Sequence, residues 1–445
     1  MLSVVSKNNQ APSPDPREKI TGRALVVWVS AVLVYIAAIT SRTSFGVAGV
    51  EAIDRFQVDA TRIAVFTAVQ VGVYAAAQIP MGMLIDKFGP RRLLAIGALI
   101  MGLGQIVLGL TDVYWVAIIA RVLIGAGDAS IFLSVMRILP FWFPLRKTPL
   151  FGQLTTALGQ LGQIISAVPF LALLGAQGWT VAFVSLGSAV ALIALLALVA
   201  VRDVPAQRVP KEGTTPPDTS STPVKPSIRT VLRLIVRNPL CWQGFFIHYL
   251  LMLWQNVFTL MWGVPLMTLG MGLSAAQVGV LLTINTLCAV VAGPIIGIVS
   301  ARVGRRRDLV AISLSLVPAL AWFVFLSSEQ PRGWWAIVII NVILGATTPV
   351  SSYGFDTIRE QLDRTVLAAG TGLANMGGFV ASMAAAQLVG VLLDVVDTDG
   401  GYDWGDFRIA YIAVFIIWGI GMVGFFIARL KGGPGRRMIT QLRTR

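Results

Sequence analysis

The eleven residues GMLIDKFGPRR, residues 82–92, separate two long apolar stretches of the chain. The two glycines of this segment, Gly82 and Gly89, permit close helix approach and a tight turn. Asp86 can accept hydrogen bonds from a helix N-terminus or from arginines. The remaining charges of the segment are basic and belong to Lys87, Arg91 and Arg92. Topology alone would explain the bases, but it leaves the acid and the glycines without a purpose.

The segment occurs a second time as GIVSARVGRRR, residues 297–307, in which both glycines and all three basic positions recur. The acid does not recur, because Ala301 stands at the position of Asp86. A weaker repeat matches Arg121-x-x-x-Gly125 with Asn341-x-x-x-Gly345. The chain is therefore predicted to consist of two related halves.

The composition is that of a protein that crosses a membrane many times. Only 13% of the 445 residues are charged, whereas about a quarter is usual in soluble proteins, and mean hydropathy is +0.78. A helix that crosses a bilayer needs about 20 mostly apolar residues. Twelve stretches qualify, at about 24–50, 61–85, 93–112, 113–138, 150–175, 179–201, 240–267, 275–301, 308–327, 333–358, 366–394 and 408–429. We predict an all-α membrane protein with twelve transmembrane helices in two pseudo-symmetric six-helix bundles, and number these spans 1 to 12.

Basic residues concentrate in the loops on one side of the predicted membrane. The exceptions among the 35 Lys and Arg are Arg55, Arg62, Arg332 and Arg408 on the other side, and Arg42, Arg121 and Arg137 within spans. This bias places both termini in the cytoplasm and the protein in the plasma (inner) membrane. The formal net charge of +14 then reflects topology and attraction to anionic lipid rather than nucleic-acid binding.

The domain boundaries follow from composition. The predicted parts are an amino-terminal tail 1–23 without a signal peptide, a six-helix bundle 24–201, a cytoplasmic linker 202–239, a second bundle 240–429 and a carboxyl-terminal tail 430–445. The linker contains a Pro-, Ser-, Thr- and Lys-rich stretch that cannot form a core.

The chain shows no pattern that predicts a cofactor. The two cysteines offer neither a disulfide framework nor metal-ligand spacing. The acidic stretch DTDGGYDWGD, residues 397–406, lacks the glycine and glutamate of a calcium loop and reads as a solvated loop. Without a phosphate-binding loop or a nucleophile with its base, neither enzymatic activity nor ATP-driven pumping is expected, and a proton gradient is the expected energy source.

The pattern Gly-x-x-x-Asp-Lys-x-Gly-x-Arg-Arg between spans 2 and 3 resembles the signature loop of the major facilitator superfamily. Twelve spans, a long central loop, a degenerate second copy and Arg-x-x-x-Gly in span 4 agree with the resemblance, which extends over essentially the whole chain. It implies alternating access by two rocking bundles. It also implies that residues of the segment latch the halves while the cavity faces outward: Gly82, Asp86, Lys87, Gly89, Arg91 and Arg92. Ala301 makes such a latch one-sided.

Ionisable residues within spans are costly and therefore candidate functional sites. Arg42 in span 1 offers a planar fork to a carboxylate, although it could instead reach the outer water. In span 4, Arg121 and Asp128 lie seven residues apart on one face, roughly 10 Å along the axis, too far for a direct pair. Arg42, Asp128 and the aromatic-Trp-Phe-Pro end of span 4 resemble the anion:cation symporter branch. That resemblance implies that Arg42 meets a substrate carboxylate and that Asp128, with Arg121, carries the proton. Ser41 departs from the resemblance, since those symporters often have an acid there. The alternative for Asp128 is a structural role as the partner of another arginine.

Further polar side chains could contact substrate hydroxyls or could join helices. The predicted substrate-binding set is Tyr35, Arg42, Gln70, Gln160, Gln163, His248, Gln255, Asn256 and Asn375. A satisfied, neutral His248 at a helix interface remains an alternative.

The leading prediction is proton-coupled symport of a small organic anion, such as a sugar acid, by a monomer. The alternative is proton-driven efflux of an amphipathic compound or lipid, although span 5 lacks the Gly-Pro pair usual in such pumps. A non-transporting sensor would need a signalling domain, which the short carboxyl-terminal tail is not expected to form.

Overall fold

The computed structural model describes residues 19–58, 60–205, 227–396 and 402–432. Most of both tails, the linker from 206 to 226 and residues 397–401 of the acidic loop lie outside the described residues.

Helices account for almost all of the described chain. Those of the first half are α1 (Gly22–Val47), α2 (Gly49–Phe56), α3 (Ala60–Phe88), α4 (Pro90–Leu110), α5 (Tyr114–Trp142), α6 (Thr148–Gly159), α7 (Leu161–Ile165) and α8 (Leu171–Ala200). Those of the second half are α9 (Ile228–Arg237), α10 (Pro239–Asn256), α11 (Gly263–Pro265), α12 (Ala275–Val303), α13 (Arg307–Leu326), α14 (Trp334–Thr347), α15 (Tyr353–Gln361), α16 (Leu367–Val396), α17 (Trp404–Ala410) and α18 (Ile412–Gly432). Short π-helical segments at Ser166–Phe170, Val257–Trp262 and Leu266–Gly270, and 3-10 turns at Gly304–Arg306, Thr348–Ser352 and Arg364–Val366, complete the set. No strand occurs within the described ranges.

Nine helical stretches of the described residues are long and apolar enough to cross a membrane, and the bent pair Pro239–Thr259 and Gly263–Gly270 makes a tenth. Two of the nine contain 53 and 51 residues, so each supplies two crossings of about 20 residues. These long stretches are divided at Gly178 and Gly304, whose φ angles of 79° and 55° suit glycine because it lacks a Cβ. The prediction of a twelve-span, all-α membrane protein is confirmed.

Buried apolar side chains form two clusters, one centred on each half. One cluster unites α1, α3, α4, α5 and α8 and also includes residues of α15 and α16, such as Phe355 and Ala368. The other unites α10, α12, α13, α14, α16 and α18. Within the first half, Gly127 of α5 packs so close to the backbone of Gly97 of α4 that any side chain there would overlap it. Small residues thus allow close helix packing. This packing matters in a bilayer, because the hydrophobic effect contributes little to helix association there.

The halves contact each other near the end that carries the two repeated segments, which we call the basic end. There α3 packs against α16, and α6 packs against α12. The glycines of the repeat make both contacts: Gly82 lies against the backbone of Ala368 in α16, and Gly297 lies against Leu150 in α6. The sequence repeat therefore corresponds to two related helix contacts across the molecule.

The structure also contains a helix in the segment that we expected to be linker only. Helix α9 begins after Ser227, whose hydroxyl accepts a hydrogen bond from the backbone N–H of Thr230 at 3.2 Å. Its sequence, IRTVLRLIVR, alternates arginines and apolar residues at helical spacing, a pattern too short to stand out beside the spans.

Candidate functional site

Arg42 and Asp128 form an ion pair between α1 and α5. The Arg42 Nε donates to Asp128 Oδ2 at 2.7 Å, and its Nη2 donates to Oδ1 at 3.0 Å. This two-bond geometry holds both groups in one plane and is among the stronger polar contacts in proteins. The side chain of Asp128 is 1% exposed and that of Arg42 is 28% exposed, so the arginine is the member of the pair that faces open space.

The pair lies near the middle of the helix bundle and not at the end of the spans that would meet the outer water. Asp128 is the central residue of α5, and Tyr74, the central residue of α3, places its ring 4.8 Å from the guanidinium carbon of Arg42. Such a cation–ring contact favours a charged arginine in a dry environment. The arginine side chain therefore reaches inward.

Tyr74 also connects this pair to the other half. Asn375 of α16 donates from Nδ2 to the hydroxyl of Tyr74 at 3.1 Å and to Oε1 of Gln78 at 2.7 Å. The ring of Phe379 lies against Tyr74, with the centroids 5.0 Å apart. Asn375, which the sequence predicted as a substrate contact, is thus connected to Arg42 through a single residue, Tyr74. Tyr74 was not among the predicted site residues.

Tyr35 borders the same region from α1. Its ring is 6% exposed, packs 5.6 Å from Phe132 and fills the space beside Gly159 of α6. The glycine permits this approach, because a Cβ there would overlap the tyrosine ring. Tyr35 therefore packs between α1, α5 and α6.

Arg121 is buried inside the first half and forms no salt bridge with Asp128, which pairs with Arg42. Its Nε donates to the backbone carbonyl of Phe66 at 3.3 Å, and its guanidinium carbon lies 4.5 Å from the ring centroid of Phe45. The side chain is 1% exposed, and Nη1 has no hydrogen-bond partner among the described residues. Gln70 is also 1% exposed, and both atoms of its amide lack a described partner. The described residues thus leave polar atoms of both Arg121 and Gln70 unsatisfied in the protein interior.

The other predicted amides form local pairs. In the first half, Gln163 donates to Gln160 at 2.7 Å, and Gln163 is exposed. In the second half, Gln255 of α10 donates to Asn285 of α12 at 2.7 Å. Asn285 was not predicted, since its helix gives no polar stripe that would single it out.

His248 and Asn256 are buried within α10, at 5% and 7% exposure. The Nδ1 of His248 lies 3.4 Å from the carbonyl oxygen of Ser351, and the ring packs 4.7 Å from that of Phe355. These contacts enclose the histidine within the second half.

Asp86 caps the start of α16. Its Oδ1 accepts from the backbone N–H of Ala368 at 3.0 Å, and its Oδ2 accepts from that of Ala369 at 2.9 Å. Arg137 of α5 donates from Nε to the same carboxylate at 3.0 Å. A helix N-terminus has free N–H groups and a partial positive charge, so a carboxylate from the other half binds it well.

The rest of the 82–92 segment anchors α4 to the end of α8. Gly89 has a φ of 89° and directs the chain into α4, which begins with Pro90. The side chain of Asp203 accepts from the backbone N–H of Arg91 at 2.7 Å, and Arg91 Nε donates to the carbonyl of Leu198 at 2.8 Å. The side chains of Lys87 and Arg92 are exposed.

A second set of contacts between the halves lies beside the repeated segment that lacks the acid. Gln153 of α6 donates from Nε2 to the carbonyl of Pro349 at 2.7 Å and also to the hydroxyl of Ser352. Gln153 is 3% exposed and lies against Gly293 and Gly297 of α12. Gln153 lies in predicted span 5, but nothing in the sequence indicates this contact.

Close packing at Gly372 leads to a first prediction. A side chain at this position of α16 would overlap the carbonyl oxygen of Gln78 in α3. Gly372→Val is therefore expected to hold the halves apart at the basic end. Maleimide labelling of an Ala368→Cys variant, whose native residue is 1% exposed, should become at least about tenfold faster.

The matched control is Gly419→Val in α18, where a Cβ would meet nothing within 4 Å. Equal labelling rates in both valine variants would contradict the role of Gly372 in closing this end.

Comparison with known proteins gives the same family along nearly the whole chain. Residues 31–274 and 255–440 match the pattern of the Major Facilitator Superfamily. The chain is 26% identical over 172 residues to the "Probable sulfoacetate transporter SauU" of Cupriavidus necator, a match that covers 39% of this chain and 40% of that protein. It is 25% identical over 167 residues to the "Probable L-galactonate transporter" of Escherichia coli, covering 38% of this chain and 36% of that protein. The matched segments thus span well under half the length of both curated relatives.

The fold is also found in a solved structure. A bacterial homolog of the human lysosomal transporter Spinster, crystallised in an inward-facing and unoccupied conformation, superposes with a TM-score of 0.56. The alignment covers 93% of this chain and all of that one, at 13% sequence identity. This likeness concerns the fold alone.

Proposed function

The chain belongs to the major facilitator superfamily, and on that premise we propose that it is a secondary transporter, not an enzyme, that carries a small organic anion together with protons. The Arg42–Asp128 pair is the observation that supports this proposal most strongly. A guanidinium at the middle of a membrane bundle, 28% exposed and aligned for two parallel hydrogen bonds, is suited to exchange one carboxylate for another.

The coupling of substrate and proton transport follows from competition between the substrate carboxylate and Asp128 for Arg42. A substrate carboxylate that binds the guanidinium displaces Asp128, which is 1% exposed and would lose its counter-charge. A buried carboxylate without a partner is costly and takes up a proton instead. Substrate and proton therefore bind together, which is the basis of symport. In this scheme Arg121 remains in the protein interior, where its positive charge partly offsets the negative charge of Asp128.

The charge of the site limits the substrate. Four other arginines with little exposure are buried in the protein or already paired with an acid: Arg121, Arg137, Arg307 and Arg359. The second half contributes neutral amides, of which Gln255 and Asn285 are examples. We therefore propose that the substrate presents one anionic group to Arg42 and uncharged hydroxyls elsewhere, as in a sugar acid with a single carboxylate.

The rest of the scheme is alternating access. The halves rock about the central site, Asp86 and Gln153 hold the basic end closed, and that end faces the cytoplasm, as the distribution of basic loops predicts. We propose that a monomer in the plasma membrane suffices, since each half supplies part of one site.

An uptake assay tests the proposal. The purified protein is reconstituted in liposomes, and uptake of radiolabelled galactonate, tartrate and sulfoacetate is measured with and without an inward proton gradient. We expect gradient-driven uptake with a preference for galactonate, which has one carboxylate, over the doubly charged anions. Gradient-driven movement of an amphipathic dye or lipid without any anion uptake would instead support the efflux alternative.

Asp128→Asn separates binding from coupling. The amide retains the shape of the side chain but has no charge to exchange with a substrate carboxylate and cannot take up the proton. We expect this variant to exchange labelled for unlabelled substrate across the membrane, while gradient-driven accumulation falls to the level of passive equilibration. If accumulation against a gradient persisted, Asp128 would not carry the proton.

A further inference from the structure

Helix α9 precedes the first span of the second half and has ten residues, Ile228–Arg237. It is about 15 Å long, half of what a membrane crossing requires. At Asn238 the backbone leaves the helical conformation, with φ −84° and ψ 114°, before α10 begins at Pro239. The helix is thus a separate element at the basic end of the protein.

One face of α9 packs on the protein. Val231 is 7% exposed and Ile235 is 0% exposed, and the helix contacts both α10 and α16. The indole N–H of Trp242 in α10 donates to the carbonyl of Val236 at 2.7 Å. These contacts fix the rotation of the helix about its own axis.

A second face is apolar but exposed. Leu232 and Val236, one helical turn apart, are 41% and 43% exposed. Nothing within the described residues covers them. Because they lie beside the packed face, they extend the apolar surface of the bundle outward.

A third face is basic. Arg229, Arg233 and Arg237 are spaced four residues apart and all are exposed. Successive residues of an α-helix are rotated by about 100° about the helix axis. The row of arginines therefore lies next to the row formed by Leu232 and Val236. The helix contains no acid, and none of the three arginines forms an ion pair or a hydrogen bond with the described residues.

From these three faces we propose that α9 lies at the membrane surface and binds the headgroups of anionic phospholipids on the side of the basic end. Leu232 and Val236 reach the upper acyl chains, while the arginine row contacts phosphate oxygens. An apolar row beside a basic row, on a helix parallel to the surface, is the arrangement by which amphipathic helices attach to anionic membranes. A soluble acidic partner would use the arginines alone and leave the apolar row exposed.

Native mass spectrometry with added phosphatidylglycerol tests the proposal on the full-length protein. Replacing the three arginines (R229Q/R233Q/R237Q) is expected to weaken the tightest phosphatidylglycerol binding by about fivefold for each charge removed. The double variant L232Q/V236Q should also weaken it, although all charges remain. Monodisperse elution of each variant shows that it is folded.

The matched control removes three other exposed charges at the same end, R302Q/R305Q/R306Q, and should retain the tightest binding. If this control lost as much affinity as the α9 variant, general surface charge would account for the effect and the proposal would fail. Displacement of the lipid by excess inorganic phosphate, or full binding in L232Q/V236Q, would show that the arginines bind free anions and would equally overturn it.

Discussion

Arg42→Gln is expected to lower substrate uptake by about tenfold to hundredfold at limiting substrate concentration. A hydrogen bond to a charged group contributes about 1.5–3 kcal/mol, and the variant loses the charged partner of the substrate. The same change leaves Asp128 without its partner at 1% exposure. Breaking a buried pair by removing one member costs about 3–5 kcal/mol, so the thermal midpoint of unfolding in detergent should also fall.

Two companion variants separate the two effects. The double variant R42Q/D128N removes the stranded charge, so it should recover much of the thermal stability and none of the transport. Arg42→Lys keeps a positive charge but loses the planar fork and should transport weakly. Recovery of uptake in R42Q/D128N would contradict the assignment of Arg42 to the substrate.

Asp86→Asn is expected to shift the protein towards a state open at the basic end. The carboxylate accepts from two backbone N–H groups of α16 and from Arg137. The amide keeps one acceptor oxygen but has no charge for the helix N-terminus or for the arginine. Loss of about 3 kcal/mol from the closed state corresponds to roughly a hundredfold change in the ratio of the two states.

Distances between spin labels can follow this shift. Labels at Phe88 and Gln361, both exposed and in opposite halves at the basic end, report its width once Cys241 and Cys288 have been replaced by alanine. We expect the distance distribution of Asp86→Asn to move to longer values. Asp112→Asn, in an exposed position between α4 and α5, is the control and should leave the distribution unchanged. An unaltered distribution in Asp86→Asn would rule out the latch.

The parts of the molecule predicted from sequence are those that leave a local or repeated pattern. Apolar runs indicate the spans directly, because the bilayer sets their length. The repeat of residues 82–92 at 297–307 indicates two halves, and the cost of burying charge draws attention to Arg42 and Asp128 separately.

What escaped prediction depends on contacts between helices. Periodicity within span 4 placed Arg121 and Asp128 on one face, yet it could not show that Asp128 pairs with Arg42, 86 residues away. The contacts of Tyr74 and Gln153 could not be predicted for the same reason, since their partners Asn375 and Pro349 lie in the other half. Helix α9 was missed for a different reason: ten residues beside a polar linker give too short a pattern.

The central claim is that substrate anion and proton bind together because both act on the Arg42–Asp128 pair. Titration calorimetry of galactonate binding in buffers of different ionisation enthalpy measures this linkage directly, since it counts the protons taken up per bound anion. The account predicts net proton uptake on binding to the wild type and none in Asp128→Asn. Anion binding to the wild type without proton uptake, or with equal uptake in Asp128→Asn, would contradict it.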